Sequence, residues 1–347
     1  MTRSFRAALG GLALAALTLG LPASARPPVR EDGAEVELAA AKAQLSTTED
    51  VSIRFTLTNT GARPIWVYLP DTPLGDIEND LFSVTRNGES VAYLGIVAKR
   101  GEPTEEDFVR IAPGKSRSAV VELTSLYDMS QPGDYEVQYR APFALGAETE
   151  TLASEPIRMT LTGEARPSPV EARSGRAPMA AAVYSNCSAD QVTLLQQALP
   201  AAQNYAASAY SSLKGTAGTR YTTWFGAYTQ ARYDAVKSHY SAISTALNNE
   251  TIEFDCKCKK QYYAYVYPNQ PYTIYLCKVF WTAPMTGTDS KAGTIIHETS
   301  HFNTTAGTND WAYGQTNCKN LAISDPARAV DNADSHEYYA ENTPALP

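Results

Sequence analysis

The chain has 347 residues, of which 44% are hydrophobic and 19% are charged, and its formal net charge is −8. This length accommodates two domains with a sizeable core, and the composition is that of a globular protein. An acidic balance without basic clusters excludes nucleic acid as the expected partner. The chain also lacks a basic amphipathic segment of the kind that binds a membrane surface.

Residues 1–25 have the pattern of an export signal. Two arginines precede an apolar run that ends near Leu21, and Ala23-Ser24-Ala25 fits the small-x-small cleavage rule. The run is shorter than a comfortable membrane span, although an uncleaved anchor is the alternative interpretation. We therefore expect a secreted, extracellular protein.

Short β-rich runs separated by turn sequences fill residues 26–163. Roughly seven strands at this spacing predict an all-β immunoglobulin-like sandwich. The segment contains no histidine and no cysteine, so we expect no catalytic constellation in it. The clearest runs are 51–57, 65–69, 118–123 and 135–139.

Residues 164–178 lack hydrophobic periodicity and are rich in Pro, Ser, Gly and Arg. This composition indicates an exposed, protease-sensitive linker with a maturation site, for which Arg166, Arg173 and Arg176 are candidates. Residues 179–347 are predicted to be mainly helical with a small antiparallel sheet, an α+β domain. Its predicted elements are helices near 188–202, 228–247, 291–304 and 334–341, a short helix opened by Pro326, and a hairpin of 262–267 with 272–279.

The predicted helix 291–304 contains His297-Glu298-Thr299-Ser300-His301. Two histidines four residues apart lie one turn apart on one helical face, so both imidazoles can reach a single ion. Glu298 is placed to handle the water at such an ion rather than to ligate it. Zinc suits the site, because it takes nitrogen and oxygen ligands and keeps one position open in catalytic centres. The motif has only three fixed positions, so a chance match is the alternative.

The third ligand decides the class of site. The longer pattern with a third histidine would place it at position 307, where Gly307 stands. The remaining candidates are Asp310, close by, and Glu337 or Glu341 on a downstream helix. Gly307 permits the chain to fold back over the helix, which favours Asp310, and aspartate is a suitable oxygen ligand for zinc.

The run HETSHFNTTAGTNDWAYG, which begins at His297, resembles the aspzincins, the deuterolysin family of secreted zinc endopeptidases. The resemblance covers the C-terminal half only. It implies a zincin-like fold in which one Zn²⁺ per chain is held by His297, His301 and Asp310, with Glu298 as general base and acid. It also implies that Tyr313 donates to the tetrahedral oxyanion. From spacing alone, a packed core tyrosine is equally compatible.

All five cysteines lie in the second half of the chain, and export favours disulfide formation. Their spacing resembles that of the fungal peptidyl-Lys metalloendopeptidases of this family. The resemblance implies the pairs Cys187–Cys256 and Cys258–Cys277, whereas sequence alone permits other connectivities. Cys318 is left over, and a buried free thiol is favoured over an intermolecular bridge or a reactive thiol.

A second constellation consists of Asp334 and Glu337, which share a face of the last predicted helix. Two carboxylates on one face can receive a lysine ammonium, and a capping box at the helix start is the alternative. In lysine-specific aspzincins an acidic pair at matching offsets lines S1′, the pocket for the residue after the scissile bond. The resemblance thus implies cleavage on the amino side of lysine. His336 is interpreted as structural or exposed.

We hypothesise that residues 26–163 form a propeptide that assists folding and inhibits the enzyme, with a permanent binding or adhesion domain as the alternative. The lysines before the linker are Lys42, Lys99 and Lys115, and Lys99 is the candidate to occupy S1′ without being cleaved. The predicted function is that of a monomeric secreted zinc endopeptidase, made as a zymogen, that acts on lysine-containing proteins and peptides. The alternatives are a broad-specificity deuterolysin-type protease and an exported binding protein with a structural zinc site.

Overall fold

The computed structural model describes residues 33–101, 103–145, 148–169 and 182–347. The predicted export signal, residues 1–25, and residues 170–178 of the predicted linker lie outside these ranges. Within them, no helix combines the length and the apolar character needed to cross a membrane.

The N-terminal region is rich in β-strands, with short 3-10 turns at Leu69–Asp71, Glu105–Asp107 and Leu123–Ser125. The strands are β1 Ala34–Ala40, β2 Gln44–Ser46, β3 Ser52–Asn59, β4 Ile65–Tyr68, β5 Phe82–Arg86, β6 Glu89–Ser90, β7 Val97–Lys99, β8 Phe108–Ile111, β9 Ser116–Glu122, β10 Gly133–Leu145, β11 Glu148–Ala153 and β12 Ile157–Thr162.

Two main sheets surround one hydrophobic core in this region. One has the order β1-β3-β9, and the other has the order β2-β12-β10-β5-β6, with β11 paired to β10. In β3, Ile53, Phe55 and Leu57 are buried while Arg54 between them is exposed, as expected for a strand with one face on the core. The sheet-rich character agrees with the predicted all-β class, and the finer immunoglobulin-like assignment stays a prediction.

The C-terminal region is helical around a small sheet. Its strands are β13 Val183–Ser185, β14 Glu253–Asp255, β15 Ala264–Val266 and β16 Thr273–Leu276. Its helices are α1 Ala189–Ser212, α2 Thr219–Phe225, α3 Gln230–Asn249, α4 Lys278–Thr282, α5 Lys291–His301, α6 Gln315–Ser324, α7 Pro326–Val330 and α8 Ala333–Glu341.

The predicted helix starts in this region follow the local capping chemistry. The α1 helix begins after Ser188, whose side chain accepts from the Gln191 backbone while the Gln191 side chain accepts from the Ser188 backbone. The α5 helix begins after Ser290, whose side chain accepts from the Gly293 backbone. It ends at His301 rather than at residue 304, because Phe302 adopts an extended conformation with ψ of 134°.

Two alternatives left open for the last helix are wrong. The residue before α8 is Asn332, and Asp334 makes no capping box, because its carboxylate is directed at groups outside its own helix. His336 is fully buried rather than exposed, with its Nε2 3.0 Å from Nδ1 of His239.

The α5 helix lies at the centre of the C-terminal core, where all of its residues are buried against α1, α8 and the sheet. Gly293 on α5 allows α8 to approach closely, since a Cβ at this position would lie 2.9 Å from Oε1 of Glu337. The disulfides Cys187–Cys256 and Cys258–Cys277 are both present, which is the pairing that the resemblance implies, and Cys318 is a buried free thiol.

One strand of the N-terminal region belongs to the sheet of the C-terminal region. This five-stranded sheet has the order β13-β14-β16-β15-β7, in which β7 runs antiparallel to β15. Without β7, β15 would be an open sheet edge, with unpaired backbone groups available to another extended chain. The N-terminal region therefore contacts the other region by strand addition.

Candidate metal centre

The two motif histidines converge on one acidic side chain. His297 Nε2 lies 3.3 Å from Oδ1 of Asp310, and His301 Nε2 lies 3.6 Å from the same oxygen. The three side chains are fully buried, and their ligand atoms lie within 4.8 Å of one another. The structure thus brings together the three residues that the motif and its tail single out.

The loop after α5 carries Asp310 back over the helix. Gly307 has φ of +60°, a left-handed conformation that favours glycine and reverses the chain. The Thr308 backbone then donates to Ser300 O at 3.1 Å, and Thr308 O lies 2.7 Å from Nδ1 of His301. This contact holds the His301 ring with Nε2 facing Asp310, as an outer partner of a metal-ligating histidine does.

The donor set fits a metal ion. Both Nε2 atoms, Oδ1 of Asp310 and both Glu298 oxygens are buried without a hydrogen-bond partner. Buried polar atoms are rarely left in that state, so the cluster requires a further partner among them. Two imidazoles and one carboxylate form a ligand set suited to catalytic zinc. Glu341, considered as a third ligand, instead accepts hydrogen bonds from Ser290.

Burial and neighbouring charges shift the pKa values of the side chains in this cluster in different directions. Burial raises the pKa of Glu298 to about 8. Burial also lowers the pKa of His301 to about 4, which keeps the imidazole neutral, the form that ligates metals. Burial opposes ionisation of Asp310, but the neighbouring His301 and His297 lower its pKa below the ordinary value.

Asp334 lies between the motif and a second cluster. One of its oxygens is 2.8 Å from Nδ1 of His297, and the other accepts from the Gly314 backbone at 2.8 Å. The carboxylate therefore positions the His297 ring with Nε2 toward Asp310. Although burial opposes it, the positive charge of Lys99 and the hydrogen bond with His297 lower the pKa of Asp334 well below the ordinary value.

The second cluster is an acidic pocket filled by Lys99 at the end of β7. Its Nζ lies 3.0 Å from Asp334, 2.6 Å from Glu337 and 3.8 Å from Asp289, and the side chain is 1% exposed. The ammonium also lies 5.0 Å from the ring centre of Tyr263. Burial opposes the charge, but the acids raise the pKa of Lys99 well above its ordinary value.

The residue before this lysine contacts the predicted catalytic tyrosine. Tyr313 Oη lies 3.1 Å from the carbonyl oxygen of Ala98 and 3.0 Å from Oδ2 of Asp310, so its one hydroxyl hydrogen can be donated to either. The β7 strand is held in register by backbone pairing, in which Lys99 is opposite Ala264 and the Tyr263 backbone donates to Lys99 O at 3.1 Å.

A polar cluster holds the chain just beyond Lys99. The Arg100 guanidinium contacts Glu78 and lies 4.5 Å from the ring centre of Tyr262, whose hydroxyl also donates to Glu78. Lys260 extends the cluster at the surface through an ion pair of 3.0 Å with Asp76. The N-terminal region thus contributes two acids and a guanidinium to a polar cluster beside the residue that follows Lys99.

Sequence reasoning did not identify Asp289, Tyr263 or the Glu78 cluster. Asp289 immediately precedes the cap of α5 and has φ of +52°, so in the sequence it is indistinguishable from a helix-start residue. Tyr263 is one of 21 tyrosines, and nothing in its local sequence marks it. Asp289 approaches the lysine from the loop before α5, and Tyr263 approaches it through the pairing of its backbone with Lys99.

Comparisons with known proteins agree with this geometry. Residues 210–341 match the aspzincin family, described as lysine-specific metallo-endopeptidase. An extracellular protease of Aeromonas hydrophila is 40% identical over 312 residues, which cover 86% of this chain and 90% of the relative. A peptidyl-Lys metalloendopeptidase of Grifola frondosa is 39% identical over 311 residues, which cover 84% of this chain and 87% of the relative.

A solved zinc peptidase from Grifola frondosa is 48% identical and covers 46% of this chain and all of its own, with a TM-score of 0.45. The alignments with the two long relatives, over 312 and 311 residues, are longer than the segment that matches the family, residues 210–341. The similarity to these relatives therefore extends into the sheet-rich N-terminal region. The buried His-Glu-His-Asp cluster and these relatives lead to one conclusion. The chain belongs to the aspzincin family of metalloendopeptidases.

Proposed function

We propose that this protein is the zymogen of a secreted zinc endopeptidase that cleaves peptide bonds on the amino side of lysine. The observation that carries the proposal is the position of Lys99, with its ammonium between Asp334 and Glu337 and the preceding carbonyl beside Tyr313. A substrate lysine in this place would present its own preceding carbonyl to the same tyrosine. The export signal and the extracellular relative support secretion.

In the proposed mechanism, His297, His301 and Asp310 hold one Zn²⁺ per chain. The ion supplies Lewis acidity and a water activated near neutral pH. Glu298, as the ionised carboxylate, would take a proton from the attacking water and transfer it to the leaving amine, and a cation held beside it would favour that ionised form. Tyr313 donates to the scissile carbonyl oxygen as negative charge develops on it.

Lysine specificity is proposed to rest on Asp334 and Glu337, with Asp289 as a third acid. A buried ammonium requires compensating charge and hydrogen bonds, because desolvation of an unpaired ion is strongly unfavourable. Burial raises the pKa of Glu337, so this side chain ionises most readily when a cation lies beside it. A neutral side chain in S1′ would leave the buried Glu337 without a cation and would remove one partner of Asp334, which disfavours other residues there.

Residues 26–163 are proposed to be the inhibitory propeptide and 164–178 the linker with the maturation site. A peptidyl-Lys metalloendopeptidase of Pleurotus ostreatus, 49% identical over 168 residues, covers 48% of this chain with 99% of its own length. A peptidase of that name is therefore about half as long as this chain. The substrate-like β7 strand provides the means of inhibition, since it fills both the sheet edge and S1′.

Cleavage of the linker alone would leave β7 in the cleft. Lys99 is buried in its ion pairs, and Arg100 and Glu78 hold the neighbouring chain on Tyr262. Activation therefore requires the propeptide to dissociate or to be degraded after the linker is cut. The linker has arginines but no lysine, so a second protease is expected to make the first cut.

The test is cleavage-site profiling of the activated enzyme on a peptide library, with and without a chelator and with zinc added back. We expect cleavage before lysine that the chelator abolishes and zinc restores. Glu298→Gln should remove activity while zinc content is retained, and Glu250→Gln, at the end of α3, is the matched control. Chelator-resistant activity would contradict the metal mechanism, and cleavage without lysine preference would indicate a broad-specificity protease.

A further inference from the structure

The end of α8 is tied by hydrogen bonds to the two residues immediately before α5. Glu341 is the last residue of α8 and is 6% exposed. Its Oε1 accepts from the Ser290 backbone at 2.9 Å and from the Ser290 side chain at 2.8 Å, and its Oε2 accepts from the Asp289 backbone at 3.2 Å. One carboxyl group therefore receives three hydrogen bonds from two consecutive residues.

The backbone and the side chain of Asp289 are both held by α8. Asp289 has φ of +52°, an uncommon left-handed conformation for a residue with a side chain, which neighbouring contacts have to hold. Glu341 accepts from its backbone, and Tyr338, one turn earlier on α8, donates to its Oδ1 at 2.7 Å. The same oxygen lies 3.8 Å from Nζ of Lys99. Two side chains of α8 thus set the position of the Asp289 carboxylate beside the ammonium.

Glu341 also lies beside Glu337, which is one turn earlier on the same helix. Both carboxyl groups lie over Gly293 of α5, since a Cβ at that position would overlap Oε1 of Glu341 and would lie 2.9 Å from Oε1 of Glu337. The other oxygen of Glu337 lies 2.6 Å from Nζ of Lys99. A smaller residue at position 341 would leave a space into which the Glu337 carboxylate can turn away from the ammonium.

We propose that Glu341 is a positioning residue of S1′, which holds Asp289 and Glu337 where they bind the ammonium of a substrate lysine. The inference rests on the proposed function, because it takes Lys99 as the stand-in for that lysine. The ion-pair partners of Lys99 in the described part of the chain are Asp289, Asp334 and Glu337, so Glu341 acts through its neighbours and not on the ligand itself.

The role of Glu341 predicts an effect on the binding of lysine and not on the chemical step. The acids that it positions contact the lysine ammonium, which keeps its place while the bond before the lysine is cleaved. An interaction that is equal in the ground state and in the transition state changes KM and leaves kcat unchanged. Burial and the neighbouring Glu337 raise the pKa of Glu341 to about 9, so the neutral glutamine is its conservative substitute.

The test measures kcat and KM of enzyme activated from the full chain, with the peptide GIVAKRG, which has the sequence of residues 95–101. We expect Glu341→Ala to raise KM for cleavage before lysine by about fivefold or more, with kcat and zinc content close to those of the wild type. Glu341→Gln, which retains an acceptor for Ser290, should change KM by less than about twofold. Glu250→Ala, which removes a glutamate at the end of α3, is the matched control and should leave both constants unchanged.

KM does not depend on the fraction of enzyme that is folded, so a loss of stability alone does not produce the expected result. A double-mutant cycle tests the path through Asp289: Asp289→Asn should raise KM by itself, and Glu341→Ala should then raise KM by a smaller factor than it does in the wild type. If Glu341→Ala does not fold, Glu341→Met, which keeps most of the volume and removes the acceptors, should also raise KM.

An unchanged KM, a loss of kcat alone, equal factors in the two backgrounds, or a glutamine variant as impaired as the alanine variant would overturn the positioning role while the lysine specificity stands. Failure of the wild-type enzyme to cut GIVAKRG before lysine would overturn the proposed function and this inference together. Mass spectrometry of the products distinguishes the two failures, because it reports which bond was cut.

Discussion

The ion pair that buries Lys99 makes a quantitative prediction about latency. Lys99→Met keeps the length of the side chain and removes its charge, so the proposed zymogen retains β7 but loses the cation that lies between the buried Asp334 and Glu337. Breaking a buried pair by removing one partner costs about 3–5 kcal/mol. At about 1.4 kcal/mol per tenfold, the open fraction rises roughly 100- to 4,000-fold.

The lower end of that range is expected near neutral pH. The pKa of Glu337 is already raised by burial, so this carboxyl group can take up a proton when the ammonium is absent and relieve part of the penalty. The assay is the activity of purified, uncleaved full chain on a fluorogenic peptide with alanine before lysine. Lys115→Met, which alters an exposed lysine of the same region, is the matched control.

We expect the uncleaved Lys99→Met chain to gain activity by at least two orders of magnitude over the wild-type chain, up to the limit set by the activated enzyme. The Lys115→Met chain should remain as latent as the wild type. If uncleaved Lys99→Met is equally latent while its thermal unfolding is unchanged, the acidic pocket does not hold the propeptide, and inhibition has another cause.

Two further predictions concern α8. Asp334→Ala should weaken zinc binding about 10- to 100-fold, because it removes the partner of His297 Nδ1, whereas Glu337→Ala should raise KM for lysine peptides and retain zinc. Zinc content and kcat and KM of both variants check this, and equal zinc loss in both would contradict the division of roles. The pair of His239, which is partly buried, and His336, which is fully buried, predicts acid lability, since burial lowers their pKa values to about 4 and about 3. Their folded pKa values lie below the unfolded value of about 6.5, so the stability they contribute is present above that pH and is lost as pH falls toward 4. A fall of about 1.5 pH units below the unfolded value corresponds to about 2 kcal/mol per histidine. His239→Phe should therefore lose less stability than the wild type between pH 7 and pH 5 in urea unfolding, and parallel losses would refute the interpretation.

Much of the metal centre was predictable because its residues are close in the chain. Helical periodicity alone places His297 and His301 on one face, and Gly307 permits the short return that brings Asp310 beside them. The cap at Ser188 and the hairpin of β15 with β16 are local in the same sense. For such features, the sequence within a few residues contains the physical cause.

The acidic pocket required the tertiary structure. Asp334 and Glu337 can be proposed from their helical spacing, but Asp289 and Tyr263 reach the same ammonium from the loop before α5 and from the segment before β15. The capping-box alternative for Asp334 was locally sound and is wrong, because His297 and Gly314 supply partners from elsewhere in the chain.

The chemical class of the site follows from the local sequence, since ligand type and spacing lie within one helix and one loop. The tertiary structure alone decided where the N-terminal region lies: a three-residue strand pairs with the edge of a sheet far along the chain and places one lysine among three acids. No local pattern marks Val97–Lys99 as that strand. Strand pairing is a non-local interaction. The partner of a strand depends on complementary backbone edges and on buried charge, and not on the sequence of either strand alone.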